Sequence, residues 1–198
     1  MSQRRPAYGW IKEVVQTLGL TLIIFFGIQT FVAQPYRVEQ QSMEQTLEPD
    51  QYVLVDKLTP RFDAYKRGDI VVFKPPPDWV QPDGTPFIKR VIGVAGDTVE
   101  VRDGVVVVNG VTLQEPYVFQ VDGQSQPTTT STEPPRWQVP DGELFVMGDH
   151  RSSSSDSRTF GPIGATDVVG RAWLRYWPAD TISVLPTPVH PELQTSSP

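Results

Sequence analysis

The sequence predicts an all-β domain, mainly antiparallel, carried behind a single N-terminal membrane helix. Three observations support this. Residues 14–33, VVQTLGLTLIIFFGIQTFVA, hold no charge over 20 positions, about the length that crosses a bilayer. Downstream, short runs rich in Val, Ile, Phe, Tyr and Trp are divided by Gly, Pro and Asp, the pattern of strands and turns. Asp103-Gly104 and Asn109-Gly110 each fall between Val-rich arms, and such pairs favour tight hairpins because they accept φ > 0 at low cost.

The anchor comes first. Twelve of its residues are Val, Leu, Ile or Phe, worth about −4 to −7 kcal/mol near the bilayer centre before the glutamines and threonines are counted. A cleavable signal peptide has a shorter apolar region that ends at small residues; Phe31 stands where one would be needed. The expectation is a retained span over residues 14–33. Arg4, Arg5 and Lys12 precede it and only Arg37 follows closely, so the positive-inside rule puts residues 1–13 in the cytoplasm and the rest on the outer face of the cell membrane.

Strands are expected in QYVLVDKL, DIVVFK, FIKRVIGV, DTVEVRDG, VVVVNGVTL, ELFVMGD and WLRYWPADTISVL. No helical period of useful length occurs beyond the anchor. PPPDWVQPDGTP and DGQSQPTTTSTEPPRWQVP carry too much proline for central strands and read as extended, solvated insertions. Residues 34–185 form the β domain on this reading, and residues 186–198 a disordered tail.

Composition narrows the chemistry. The 198 residues include no cysteine, which excludes disulfides, thiol catalysis and thiolate metal sites. A formal charge of −6 argues against nucleic acid as a partner, since phosphate binding needs surplus Lys and Arg. Two histidines, His150 and His190, leave little for a zinc site, so neither metal nor cofactor is expected. Chemistry falls to Ser, Thr, Lys, Asp or Glu.

Ser42, in VEQQSMEQTL, lies a few residues past the span. By itself it reads as a serine in a polar linker. Lys89 lies in PFIKRVIGV, where alternation puts Phe87, Lys89 and Val91 on one face and Ile88, Arg90 and Ile92 on the other. A lysine between two apolar neighbours either snorkels to solvent or is desolvated until its amine is neutral near pH 7–8 and able to take a proton from a serine. Arg90 is expected to stay solvated or to pair with a carboxylate. In GELFVMGDHRSSSSDSRTFGPI, Asp149, Arg151, Asp156 and Arg158 alternate in sign, which suits an internally paired, ordered loop. His150 beside Asp149 invites a Ser-His-Asp reading, but adjacent residues at a strand end point apart.

In sequence order, SMEQTL, GDIVVFK, IKRVIGVAGDTVEV and GDHRSSSSDSR resemble the boxes of the type I signal peptidases, over nearly the whole chain from the anchor to Val184. The resemblance implies a mostly antiparallel β domain resting on the outer leaflet. It also implies a serine endopeptidase that removes signal peptides from exported preproteins after Ala-x-Ala, acting as a monomer with the bilayer as its second partner. Carried onto this chain, Ser42 is the nucleophile and Lys89 the general base. Ser154 hydrogen-bonds and orients the lysine, Asp156 and Arg158 hold the loop with Asp149 in support, and Met43 lines the site. Trp173 and Trp177 are placed at the membrane interface or in the core. The chain departs from the family before the nucleophile. Gln40 falls at the side-chain oxyanion donor, beside the Ser42 amide, and Gln45 replaces a common proline. The competing readings are a catalytically impaired membrane-anchored binding protein of the same fold and a self-cleaving repressor-type protease, the latter disfavoured by the anchor.

Overall fold

A computed structural model describes residues 8–77, 79 and 84–193 of the chain. The first element is α1 (Tyr8–Phe31). It starts before the expected span because Ile11, Lys12 and Glu13 form helix readily although two of them are charged. Its apolar side chains are exposed from Trp10 to Phe31, and its residues Gly9–Phe31 are long and apolar enough to cross a membrane.

Strands β1 (Ala33–Arg37), β2 (Tyr52–Asp56), β3 (Ile70–Phe73) and β4 (Phe87–Gly93) follow. A smaller meander comprises β5 (Thr98–Arg102), β6 (Val105–Val108) and β7 (Val111–Thr112). Next come the hairpin β8 (Gln120–Val121) and β9 (Gln124–Ser125), then β10 (Arg136–Gln138) and β11 (Glu143–Met147). The chain closes with a one-turn helix, α2 (Ser157–Phe160), and with β12 (Ile163–Gly164), β13 (Val168–Trp177) and β14 (Ser183–Val184). The main sheet has eight strands in the order β1-β2-β13-β3-β4-β11-β12, with β14 on β13, and a second sheet has the order β10-β5-β6-β7. Every pairing is antiparallel, so the expected fold class holds.

The hairpin dipeptides behave as their chemistry requires. Asp103 and Gly104 take φ of 51° and 82°, and Asn109 and Gly110 53° and 83°. A third such turn, Asp122-Gly123 at 52° and 78°, closes β8–β9 inside the segment read as a solvated insertion. Most of that segment is exposed, as expected, but it is tied down at points: Thr128 is buried, Arg158 donates to the Thr129 carbonyl, and the Thr130 and Thr132 hydroxyls donate to the Arg158 carbonyl. The other insertion is likewise not wholly solvated. Trp79 is buried, stacked on Phe160 and edge-on to Phe73 and Phe87, while residues 78 and 80–83 lie outside the described set. Residues 186–193, expected as the start of a disordered tail, also pack: Thr187 donates to Asp69 and His190 is buried. Residues 1–7 and 194–198 lie outside the described residues.

Burial falls into three clusters. Ile88, Val72, Val53 and Met43 belong to one, Phe87, Val91, Val71 and Trp79 to a second, and Ile92, Val99 and Phe145 to a third. β4 contributes to all three and is buried along its whole length, so its two cations must find partners or give up charge. Trp173 and Trp177 are exposed on β13, not in the core.

Candidate active site

Ser42 sits in a 3-10 turn, Gln41–Met43, just past β1, with Ser42 and Met43 both buried. Amides at the start of such a turn have no partner within it. Gln40 is the N-cap, extended at φ −112° and ψ 154°, and its side chain makes no capping hydrogen bond. The turn is pinned from several sides. The Ser42 carbonyl accepts from His150 N–H at 3.0 Å, and Thr46 Oγ1 donates to Asp149 Oδ2 at 2.6 Å. Gln45, at φ 70°, uses its carboxamide to donate to the Gln120 carbonyl and accept from the Gln120 amide. A proline, locked near −65°, does not fit that conformation.

Lys89 Nζ lies 2.7 Å from Ser42 Oγ in a hydrogen bond, and the lysine is 0% exposed. The amine also stands over the Phe87 ring, 4.9 Å from its centroid. Burial pulls its pKa down to about 8. The charge of Asp156 opposes that shift, that of Arg158 adds to it and that of Asp149 opposes it again.

Asp156 is fully buried and fully engaged. It accepts from Arg158 Nε and Nη2 at 2.9 and 2.8 Å, from Gly148 N at 3.0 Å and from Ser154 Oγ at 2.7 Å. Burial alone would raise its carboxyl, but the Arg158 guanidinium, the Ser154 hydroxyl and the Gly148 amide hold it below the usual carboxylate range. Ser154 is held against this carboxylate. Its hydroxyl donates to Asp156, and among the described contacts no hydrogen bond joins it to Lys89. The carboxylate is the stronger acceptor.

Asp149 pairs with neither Arg151 nor Arg158. It takes Arg90 in a two-point ion pair, Nε to Oδ1 at 2.9 Å and Nη2 to Oδ2 at 2.6 Å. Arg90 is as buried as Lys89, so of its two expected fates it follows the pairing one. Arg151 reaches Glu115 at 2.6 Å and the Gly148 carbonyl. The alternating charges thus order the loop, but only Asp156–Arg158 pairs within it.

His150 does not complete a triad. Its ring stacks on Phe119, with centroids 4.0 Å apart. Its Nδ1 lies 2.7 Å from Glu44 Oε2, out of line for a hydrogen bond. Gly148 was not singled out from sequence. A Cβ there would meet Ser154 Oγ at 2.3 Å and the Ser42 carbonyl at 2.5 Å, so only glycine lets the nucleophile turn and the Ser154 loop meet. A Gly-Asp pair ending a strand was the available signal.

Beside Ser42 lies a cleft lined by Gln40, Ser42, Met43, Thr85, Pro86 and Ile88, with a cavity volume of about 20 Å³. Among the described residues, no group of acidic or histidine side chains is arranged to hold a metal ion.

A buried serine hydroxyl bonded to a buried lysine amine on a β scaffold is the equipment of a serine hydrolase that works without histidine. Comparison with known proteins identifies the family. Residues 11–177 match the model of the family described as signal peptidase, peptidase S26. A signal peptidase I of Leptolyngbya laminosa is 36% identical over 90% of this chain and 85% of its own. A signal peptidase I of Mycobacterium tuberculosis (strain ATCC 25618 / H37Rv) is 32% identical over 88% of this chain and 75% of its own. The crystal structure of a signal peptidase I from Enterococcus faecalis V583 aligns with a TM-score of 0.45 at 34% identity, over 55% of this chain and 97% of that one. The chain belongs to the type I signal peptidases, serine peptidases that remove signal peptides.

Proposed function

We propose that the chain is a membrane-anchored endopeptidase in which Ser42 is the nucleophile and Lys89 the general base. The observation that carries this reading is the buried 2.7 Å contact between Lys89 Nζ and Ser42 Oγ. A lysine with a pKa of about 8 is partly neutral near pH 7, so its lone pair takes the hydroxyl proton as Ser42 Oγ attacks the scissile carbonyl. The resulting ammonium returns that proton to the departing amine, leaving an acyl-enzyme on Ser42. A water, deprotonated by the same lysine, then hydrolyses the ester. Asp156 supports this geometry from behind, because it fixes Ser154, Gly148 and Arg158 together.

The oxyanion is received by the Ser42 amide at the start of its turn and by the Gln40 carboxamide, which is free of any capping bond. Glutamine has the N–H to donate. The cleft beside Ser42 has room for about one water-sized group, which suits the methyl of alanine and supports cleavage after small residues. β11 pairs with β4 only from Arg90 onward, so on that side β11 leaves Phe87–Lys89 without a strand partner, which suits strand addition by an extended substrate. Nucleophile and base come from one chain, as a monomer requires. The substrates are preproteins delivered at the bilayer. α1 crosses it with residues 1–13 on the cytoplasmic side and the β domain on the outer face of the cell membrane.

The test is preprotein cleavage by the purified full-length chain in detergent, beside Ser42→Ala and Lys89→Ala. A cut after Ala-x-Ala that both variants lose is the expected result. Retained cutting by either variant sinks the dyad, and no cutting by the folded parent favours a binding protein of the same fold. Gln40→Ala should lower kcat by about 10²–10³-fold, the usual effect of deleting one oxyanion donor, with little change in KM; unchanged kcat removes Gln40 from the hole.

A further inference from the structure

We infer that the turn at residues 57–62 is a second membrane contact, which buries Phe62 at the lipid interface and holds the phosphate of an anionic outer-leaflet phospholipid against Lys57 and Arg61. The inference rests on the reading that α1 spans the bilayer, and it goes beyond that reading in naming what else touches lipid.

Depth is set by contact with the end of the helix. Lys57 Nζ donates to the Gln29 carbonyl and to Gln34 Oε1, and the Lys57 amide donates to the Val32 carbonyl at 2.9 Å. The Gln29 carbonyl is among those a helix terminus leaves without an intrahelical partner, so Lys57 caps α1. Arg61 lies with its guanidinium 5.9 Å from the Phe31 ring centroid. Ala33, two residues past the helix, already pairs with Asp56. The anchor is therefore joined to the domain by a capped junction, and the 3-10 turn Thr59–Arg61 stands at the depth of the last helical turn.

At that depth the turn presents the wrong surface for water. Phe62 is 84% exposed and Leu58 39%, next to exposed Phe31 and Val32. Apolar surface continuous with a membrane span is covered by acyl chains, and Phe beside Leu suits burial at the headgroup–acyl boundary. Among the described residues neither Lys57 nor Arg61 has a carboxylate within ion-pair distance, although the chain carries a net −6. A groove of about 550 Å³ opens beside them, with Tyr65, Leu144 and Val168 on its walls, giving a headgroup room above the phosphate. By the sheet register Trp177 lies opposite Tyr52, which pairs with Arg37. That is four residues up β1 from Ala33, about 13 Å along the strand, so the turn is the nearer element to the span.

The absence of cysteine makes the test clean. Single-cysteine variants Leu22→Cys, Phe62→Cys and Val105→Cys of the full chain are nitroxide-labelled and placed in vesicles of phosphatidylglycerol and phosphatidylcholine. Accessibility to oxygen is compared with accessibility to a water-soluble nickel chelate. The labels at 22 and 62 should favour oxygen, with 62 the shallower, and the label at 105 should favour the chelate. A lipid-facing 22 with a water-facing 62 overturns the inference and leaves the anchor standing; water at both positions overturns the two together. In a second arm, spin-labelled lipids report which species the protein retains. The parent should retain phosphatidylglycerol over phosphatidylcholine, and Arg61→Gln should reduce that preference by up to about fivefold, the effect of one basic group near a charged surface. Equal retention by parent and variant removes the phosphate site.

Discussion

Lys89 and Arg90 are consecutive on β4, equally buried and oppositely treated. Arg90 meets Asp149 through two hydrogen bonds, donates to the Gly68 carbonyl and lies 4.0 Å from the Tyr117 ring centroid. Every part of its charge is answered. Lys89 finds a neutral hydroxyl and the face of a phenyl ring. The carboxylate that acts most strongly on it, Asp156, is already held by Arg158, Ser154 and the Gly148 amide. Burial leaves a cation charged where a carboxylate is free to pair with it and lowers its pKa where the nearest carboxylate is taken. The arginine that claims Asp156 thus bears on the proposed base, because it denies Lys89 an ion pair.

Exchanging the two treatments breaks the comparison most severely. Lys89→Arg keeps a basic side chain but installs a group that proteins do not deprotonate. Preprotein cleavage should fall by about 10⁴-fold or more, the scale seen when a base is lost from such a site, and circular dichroism should be unchanged. Activity within tenfold of the parent would show that a neutral amine is not required. Next in size, Asp149→Ala leaves the Arg90 charge buried and alone, at a cost of about 3–5 kcal/mol. A Tm depressed by roughly 6–20 °C is expected for a domain of this size, measured by calorimetry in detergent. A shift of a degree or two would mean that water reaches Arg90.

How far each of these roles was legible from sequence follows the range of the interaction that creates it. Alternation placed Lys89 between Phe87 and Val91, and Asp-Gly and Asn-Gly marked the hairpins, because strand period and turn conformation are local. The resemblance joined Ser42 to Lys89 across 47 residues, which no local rule does. What stayed hidden was partner choice. Nothing near Asp149 in the sequence says that it will take Arg90, 59 positions away, in preference to Arg151 two positions on. Ser154 donates to Asp156, two residues on, because the folded loop brings that carboxylate within 2.7 Å. The threonine-rich insertion looked solvated because its work is done by backbone carbonyls and hydroxyls on Arg158, and such contacts leave no apolar pattern to find.

A smaller pair of effects sharpens the comparison through pH. As the proposed base, Lys89 works only when neutral, so kcat/KM should rise tenfold per pH unit up to about 8 and level off above it. The sign for stability follows from the same group. Its folded pKa, about 8, lies below the ordinary lysine value of about 10.4. Between these values the unfolded chain binds more protons, and stability rises with pH across that window. Asp156 raises the lysine pKa by its charge, so Asp156→Asn, which removes that charge and leaves Arg158 behind, should move the acidic limb to lower pH even as kcat falls from the loosened loop. A limb that moves to higher pH would mean that Arg158 swings away with the lost carboxylate, and that Asp156 reaches Lys89 chiefly by positioning Arg158. Arg90→Lys should leave the limb in place, since Arg90 acts on Asp149 and not on the amine; it costs about 1–3 kcal/mol of stability, because an ammonium cannot reproduce the two-point contact.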